Sequence, residues 1–184
     1  MPSTALNQAR THTGESLDAL SHRAPQLVVF LRHSGCTFCR QALADLARDR
    51  AAITAAGTGL VLVHMQSDAD AKTLFAAYGL DDVPRISDPD RRLYEAFDLQ
   101  VASLSQVAGP QVWLAGLKSL LSGHLPGIPS ANVFQLPGAF LVHKGQILRA
   151  FRGQSSAEHP DYCELAGVTG RNPTTEPTNP QSKS

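Results

Sequence analysis

The stretch Leu27-Val28-Val29-Phe30-Leu31, followed by Cys36-Thr37-Phe38-Cys39, decides the fold of this chain. A short apolar run rich in β-formers is typical of a strand buried on both faces. After it, residues of one apolar stripe recur at helical spacing, namely Cys39, Leu43, Leu46 and Ile53. The sequence therefore predicts a buried strand that ends at a cysteine pair, and an amphipathic helix that begins close to Cys36.

The next segments extend this unit along the chain. Residues 59–65 form a second apolar run, and a strand, a helix and another strand joined by a long crossover imply a parallel pair. Ser67 or Asp68 can cap a following helix, which Gly79 would end. A short helix is predicted from Asp88 to about Phe97.

The C-terminal third predicts a hairpin and a closing helix. Residues 139–143 and 146–151 read as strands, and the tight Lys144-Gly145 connection fits only an antiparallel hairpin. A helix is expected over residues 158–167, and residues 100–136 read as a loop-rich insertion. This order predicts an α/β protein of thioredoxin-like fold, with a central mixed β-sheet flanked by helices and an insertion before the C-terminal hairpin.

Both ends of the chain are polar, so residues 1–13 and 168–184 are expected to be disordered around a domain at 14–167. Sixteen basic and sixteen acidic side chains cancel, which argues against nucleic acid as a partner. No apolar run approaches the roughly 18 residues of a membrane span, and no signal-like apolar region opens the chain. We therefore expect a soluble, cytoplasmic protein with no membrane partner.

The spacing of Cys36 and Cys39 is that of a redox pair. A cysteine at a helix N-terminus is favoured as the thiolate, and Arg32, His33 and Arg40 could add positive charge around Cys36. Cys39 lies about one turn later on the apolar face, where it should be more shielded. The pattern predicts that Cys36 attacks and that Cys39 resolves the mixed disulfide.

The sequence is compatible with two other uses of these thiols. The pair could be buried structural thiols without chemistry, although burial alone does not require this spacing at a strand-to-helix junction. A closed zinc site needs four ligands, and Cys163 has no partner spaced for metal. We expect no metal and no cofactor, and we expect Cys163 to be a helix residue without a redox task.

Four stretches together resemble the peroxiredoxin-like AhpC/TSA family, in the branch that includes selenoprotein U relatives. The first is residues 28–40, which resembles the active-site segment of that family. The others are Asp88-Pro89-Asp90-Arg91, the segment from Phe134 to Val142, and Ala157-Glu158-His159-Pro160, and the resemblance spans roughly residues 25 to 166. It implies a thioredoxin fold and thiol-based redox activity.

The resemblance also implies a cis bond at Pro137 facing the cysteine pair, whereas proline statistics alone favour trans. Pro137, together with Arg32 and His33 beside Cys36 in sequence, is a candidate for contacting substrate. Arg149 is a fourth candidate, although it also reads as a plain surface charge. True peroxiredoxins have a peroxide-positioning threonine three residues before the attacking cysteine, and His33 stands there before Cys36. The expected function is therefore a thiol–disulfide oxidoreductase or a weak thiol peroxidase of the antioxidant type.

Its expected partners are a peroxide or protein disulfide as substrate, and a thiol reductant such as thioredoxin or glutathione. The alternative is a non-catalytic redox-sensing or interaction module, in which oxidation changes a surface and nothing turns over.

Overall fold

The structure is a computed structural model that describes residues 2–31, 37–99, 135–154 and 158–169. Its strands are β1 (Gln26–Phe30), β2 (Gly59–His64), β3 (Arg85–Ser87), β4 (Gly138–His143) and β5 (Gln146–Arg152). The helices of the described residues are α1 (Pro2–Gln8), α2 (Leu17–Arg23), α3 (Thr37–Ala55), α4 (Asp68–Ala76), α5 (Arg92–Ala96) and α6 (Tyr162–Ala166).

The strands form one mixed sheet in the order β3-β2-β1-β4-β5. β1 pairs in parallel with β2, and β2 pairs in parallel with β3. β4 is antiparallel to both β1 and β5. The predicted mixed sheet flanked by helices is confirmed, and β3 is a strand that the sequence did not predict.

Successive residues of β1 point to opposite sides of the sheet and define its two faces. The α3 face is the side of Leu27, Val29, Leu62 and Ala139, which α3, α4 and α6 cover. The aromatic face is the side of Val28, Phe30, Val63 and Phe140, which α1, α2 and α5 cover. Because β1 is buried on both faces, it reads as a continuous apolar run rather than an alternating one.

The segment 1–13, for which the sequence predicts disorder, contains helix α1 in its described part. Leu6 is fully buried with Leu17 and Leu20 of α2 on the aromatic face. Ser16 caps α2, since its hydroxyl accepts a hydrogen bond from the Ala19 amide at 3.1 Å. Ala5, Leu6 and Ala9 of this polar segment pack inward, which overall composition does not reveal.

The predicted hairpin between β4 and β5 is confirmed, and α2 holds its turn. Lys144 and Gly145 have φ values of 50° and 71°, as a type I′ turn requires. The amide of Lys144 donates to the Ser21 carbonyl at 2.9 Å, and the amide of Gly145 donates to the Ser21 hydroxyl at 3.0 Å. The N-terminal helices are therefore fixed to the C-terminal half of the sheet.

The predicted insertion at 100–136 lies outside the described residues except for its last two positions. At its flanks, Gln135 Nε2 donates to the Leu99 carbonyl at 3.1 Å, so the two ends of the segment lie side by side. The tail from residue 170 also lies outside them. Val168 is still held, because its amide donates to the Cys163 carbonyl at 2.9 Å.

Candidate active site

The carboxyl end of β1 is fixed by hydrogen bonds from two directions. The Leu31 amide donates to the Val63 carbonyl at 2.8 Å. The buried Tyr94 hydroxyl donates to the Leu31 carbonyl and lies 3.3 Å from the Val63 carbonyl oxygen. Residues 32–36 follow directly, so Arg32, His33 and Cys36 lie outside the described residues. Their predicted roles stay predictions.

Cys39 lies in the first turn of α3, close to this strand end. Its residue surface is 6% exposed, and the cysteine forms no disulfide within the described chain. α3 is a helix of 19 residues whose N-terminus is at Thr37. The thiol is thus shielded from solvent at the helix end whose unpaired amides favour negative charge.

A mainly apolar pocket adjoins Cys39 at the carboxyl end of β1. Its described lining is Val29, Phe30, Leu31, Cys39, Ala42, Pro137, Gly138, Phe151, Glu158, His159, Pro160 and Tyr162. The lining comes from β1, α3, β4, β5, α6 and the segment before α6. The carboxyl edge of parallel strands is where α/β folds bind ligands.

Two tyrosines near Cys39 stay protonated at neutral pH. Burial is the largest cause that raises the pKa of Tyr94, and the charges of Asp88 and of a Cys39 thiolate add to it. Burial also raises the pKa of Tyr162, with smaller contributions from Asp45 and Cys39. Neither hydroxyl can therefore serve as a base that removes a proton from the thiol.

His159 and Glu158 add polar groups to the pocket lining. Burial lowers the pKa of His159, and the negative charge of Asp45 opposes this shift. Glu158 is exposed and accepts a hydrogen bond from the Gln154 amide at 2.8 Å. The pocket therefore combines a thiol with a histidine that is neutral near pH 7.

Pro137 lines the pocket, but the predicted cis bond before it is wrong. The described residues contain no cis peptide bond, so Leu136–Pro137 is trans, the isomer that proline statistics favour by about 0.5–1 kcal/mol. The Pro137 carbonyl accepts from the Gly153 amide at 3.0 Å, which ties this corner to the end of β5. At Gly138, a Cβ atom would lie 2.4 Å from Leu99 Cδ2, so a larger residue there would have to displace the Leu99 side chain.

Three other predicted residues lie away from this pocket. Arg149 donates to the Glu164 carbonyl at 2.6 Å beside α6 and does not line the Cys39 pocket. Cys163 is buried in α6 within the α3-face core, and Arg40 is exposed. The structure therefore brings together Cys39 and Pro137, but not Arg149.

Sequence reasoning missed three residues around Cys39. Tyr94 carried no signal, because a lone aromatic residue in a short helix reads as core. Tyr162 likewise has no feature in the sequence that points to the site. His159 did have a signal, since the Glu158-His159-Pro160 segment was among those that resemble the family.

A metal centre and a membrane span are both absent from the described residues. No group of three or more histidine, cysteine, aspartate or glutamate side chains is arranged to hold a metal ion in residues 2–31, 37–99, 135–154 and 158–169. In the same part of the chain, no helix combines the length and apolar character needed to cross a membrane.

This sheet order, with a cysteine in the first turn of the helix that follows β1, is that of the thioredoxin-like fold that peroxiredoxins share. The chain belongs to the AhpC/TSA family, whose model matches residues 1–151. Peroxiredoxin Q of Xanthomonas campestris, in a cysteine-to-serine mutant form, shares the fold at a TM-score of 0.61 and 19% identity, over 90% of this chain and 92% of that one.

Two other relatives are similar over different lengths. Peroxidoxin BcpB of Mycobacterium tuberculosis has a TM-score of 0.56 and 16% identity, over 86% of each chain. The thioredoxin-like protein AAED1, chloroplastic, of Arabidopsis thaliana is 32% identical over 98 residues. That match covers 53% of this chain and 39% of the plant protein, so it spans less than half of the relative's length.

Proposed function

We propose that this chain is a thiol–disulfide oxidoreductase or weak thiol peroxidase that cycles between the dithiol and the disulfide of Cys36 and Cys39. One observation carries the proposal. Cys39, three residues after Cys36, is shielded in the first turn of α3 and lines a pocket at the carboxyl end of β1. Membership of the AhpC/TSA family supports thiol-based redox chemistry at this position. The sequence resemblance favours the selenoprotein U-like branch within it.

The reaction begins at Cys36 and ends with an internal disulfide. With a disulfide substrate, the Cys36 thiolate forms a bond to one sulfur, and the other sulfur leaves as a thiol. With a peroxide, Cys36 is oxidised to a sulfenic acid while the peroxide is reduced to an alcohol or water. Cys39 then attacks Cys36, forms the Cys36–Cys39 disulfide, and releases the second thiol or a water molecule.

A thiol reductant closes the cycle. Two thiol equivalents, from a thioredoxin-type protein or from glutathione, reduce the internal disulfide and are themselves oxidised. A working dithiol needs a reducing compartment such as the cytoplasm. Arg32 and His33, adjacent to Cys36 in sequence, and Pro137, in the pocket lining, are the proposed substrate contacts.

Three single-cysteine variants test this assignment. We expect Cys36→Ser to abolish turnover of peroxide and of disulfide with a thiol regenerant. Cys39→Ser should keep the first attack and then accumulate a mixed disulfide or sulfenic acid on Cys36, which mass spectrometry detects. Cys163→Ala is the matched control, because this buried cysteine does not line the pocket, and it should turn over at the wild-type rate.

Two outcomes would contradict the proposal. If Cys36→Ser still forms a stalled adduct, Cys39 is the attacking thiol and the assigned roles are reversed. If wild-type protein forms the disulfide once but consumes no further peroxide or disulfide in excess reductant, the chain is a redox-sensing module rather than an enzyme.

A further inference from the structure

Few groups in the described lining of the pocket beside Cys39 can accept a proton. Its described lining has four ionisable side chains, Cys39, Glu158, His159 and Tyr162. Tyr162 stays protonated, because burial raises its pKa. Glu158 is exposed, and its carboxylate is hydrogen-bonded to the Gln154 amide. His159 is the remaining candidate, and its Nε2 atom is buried.

Cys39 cannot resolve a disulfide while it carries a proton, because only the thiolate is nucleophilic. Cys39 is only 6% exposed, so water has little access to its thiol. An acceptor inside the pocket therefore assists the loss of the proton, and a neutral imidazole is well suited to this near pH 7.

We propose that His159 is the proton acceptor for Cys39 in the resolving step, an inference that rests on the proposed function of the cysteine pair. As Cys39 attacks the mixed disulfide on Cys36, its proton passes to the imidazole of His159. The Cys36–Cys39 bond forms, and the bond from Cys36 to the substrate sulfur breaks. The departing thiolate then takes the proton back from His159, so charge and electrons balance.

The charged and titratable groups around His159 agree with this role. Asp45 of α3 is the charged group that acts on it, and its negative charge opposes the effect of burial on the pKa of the imidazole. Asp45 is itself engaged, because it accepts hydrogen bonds from Arg48 at 2.8 Å and from Gln41 at 3.1 Å. Tyr162 of α6, Cys39 of α3 and the adjacent Glu158 complete the ionisable groups of the described pocket. The imidazole is thus neutral before the step and can be charged during it.

An aromatic disulfide probe separates the two steps. The reduced protein, in a Cys163→Ala background, is mixed with excess 5,5′-dithiobis(2-nitrobenzoate) in a stopped-flow instrument. The first thiobenzoate is released when Cys36 attacks, and the second is released when Cys39 resolves the adduct. We expect His159→Gln to leave the first release within about twofold and to slow the second by about tenfold or more at neutral pH, as for loss of a general base.

The pH dependence distinguishes a proton acceptor from a structural side chain. In His159→Gln, the second release should recover towards the wild-type rate at about pH 9, where a thiol ionises without help. His22→Gln is the matched control, because His22 is an exposed histidine on α2 outside the pocket, and both of its releases should match wild type. If the second release in folded His159→Gln keeps the wild-type rate and pH profile, the inference is overturned.

A measurement on the protein with an intact His159 guards against a variant that fails to fold. The imidazole of His159 is titrated by NMR, and its midpoint is compared with the pH at which the second release loses half its rate. The two midpoints should coincide, and a clear difference between them overturns the inference. Failure of the proposed function looks different, because release would then not occur in two steps, or Cys36→Ser would release its single thiobenzoate as fast as wild type releases the first.

Discussion

The aromatic face and the α3 face cover opposite sides of the same central strand, but their side chains differ. On the aromatic face, Phe30, Tyr94, Phe97 and Phe140 meet with ring centroids 4.8 to 5.6 Å apart. The α3 face is mainly aliphatic and contains Cys163, with the Cys39 pocket at its edge. Tilted and edge-on aromatic contacts add to the energy of burial, so the aromatic face is suited to hold the sheet, whereas the Cys39 thiol lies at the edge of the other face.

The largest expected effect would break the aromatic face alone. Phe97 is almost fully buried between Phe30 and Phe140 and does not line the Cys39 pocket. Phe97→Ala should lower the free energy of unfolding by about 3–5 kcal/mol, as measured by urea denaturation. In the fraction that remains folded, the alkylation rate of Cys39 should stay near wild type.

The matched control for this variant is Leu148→Ala, since Leu148 is 53% exposed on β5. This substitution should change the free energy of unfolding by no more than about 0.5 kcal/mol. A Phe97→Ala variant as stable as Leu148→Ala would contradict the view that the aromatic face stabilises the sheet.

Tyr94 tests whether the two faces communicate. Its ring packs on the aromatic face, whereas its hydroxyl donates to the Leu31 carbonyl just before the segment of Cys36. Tyr94→Phe should cost about 1–3 kcal/mol, because it leaves a buried carbonyl without its donor. It should also change the pH profile of cysteine alkylation, followed site by site by mass spectrometry.

Tyr78→Phe is the control for Tyr94, because Tyr78 is a partly buried tyrosine packed on the α3-face core. It should leave the alkylation profile unchanged. An unchanged profile in Tyr94→Phe would mean that the aromatic face only stabilises the fold.

The edge of the sheet at β3 offers a smaller test through pH. Arg85 is 4% exposed and donates to Asp68 at 2.7 and 2.9 Å, and this pair holds the pKa of the Asp68 carboxyl below its ordinary value of 3.8. A carboxyl whose pKa is lowered on folding stabilises the protein above its ordinary pKa, and this stability is lost as the pH falls through the folded value.

Asp68→Asn should therefore be less stable than wild type by roughly 1 kcal/mol at pH 7, a figure discounted for its half-exposed carboxylate. The difference should shrink below about pH 4, where wild type loses the same charge. Urea midpoints at both pH values measure it. Asp82→Asn is the control, since its partner Arg50 is 36% exposed, and it should have the smaller effect at pH 7. Equal effects would show that burial of the arginine is irrelevant.

The smallest effect is expected at the C-terminus. Removing residues 170–184 should shift the thermal midpoint by less than about 4 °C, because the segment is polar and has no periodic apolar face. The truncated chain keeps Val168, which packs on the α3-face core. A larger fall in the midpoint, followed by circular dichroism, would mean that the segment docks on the domain.

The sequence predicted the α3 face better than the aromatic face, and the reason is physical. β1, β2 and α3 have long apolar patterns of a single period, and the hairpin has a turn that only one geometry accommodates. α1 and α2 are short, and each buries only a few apolar side chains in a polar segment. β3 has three residues, which is too short for any period to appear.

The cysteines of the candidate site could be predicted from the sequence, but the residues that surround them could not. The spacing of Cys36 and Cys39 is visible in one line of sequence, whereas the Cys39 pocket is lined by segments from five distant places in the chain. The trans bond at Pro137 followed general proline statistics, and the resemblance misled on this point. Contacts such as that of Tyr94 with Leu31 depend on the packed sheet and leave no local signal.

The position of β4 sets an order of events during synthesis of the chain. β1 lies at the centre of the sheet, yet the strand that covers its second edge is made more than a hundred residues later. At translation rates of about 5–20 residues per second, the interval between the synthesis of β1 and that of β4 is on the order of ten seconds. During this interval one edge of β1 is unpaired. α2 also lacks a binding partner during this interval, because the hairpin turn that Ser21 binds is synthesised after β4. The nascent protein therefore exposes an apolar strand edge throughout this interval, when binding by a chaperone would protect it from aggregation.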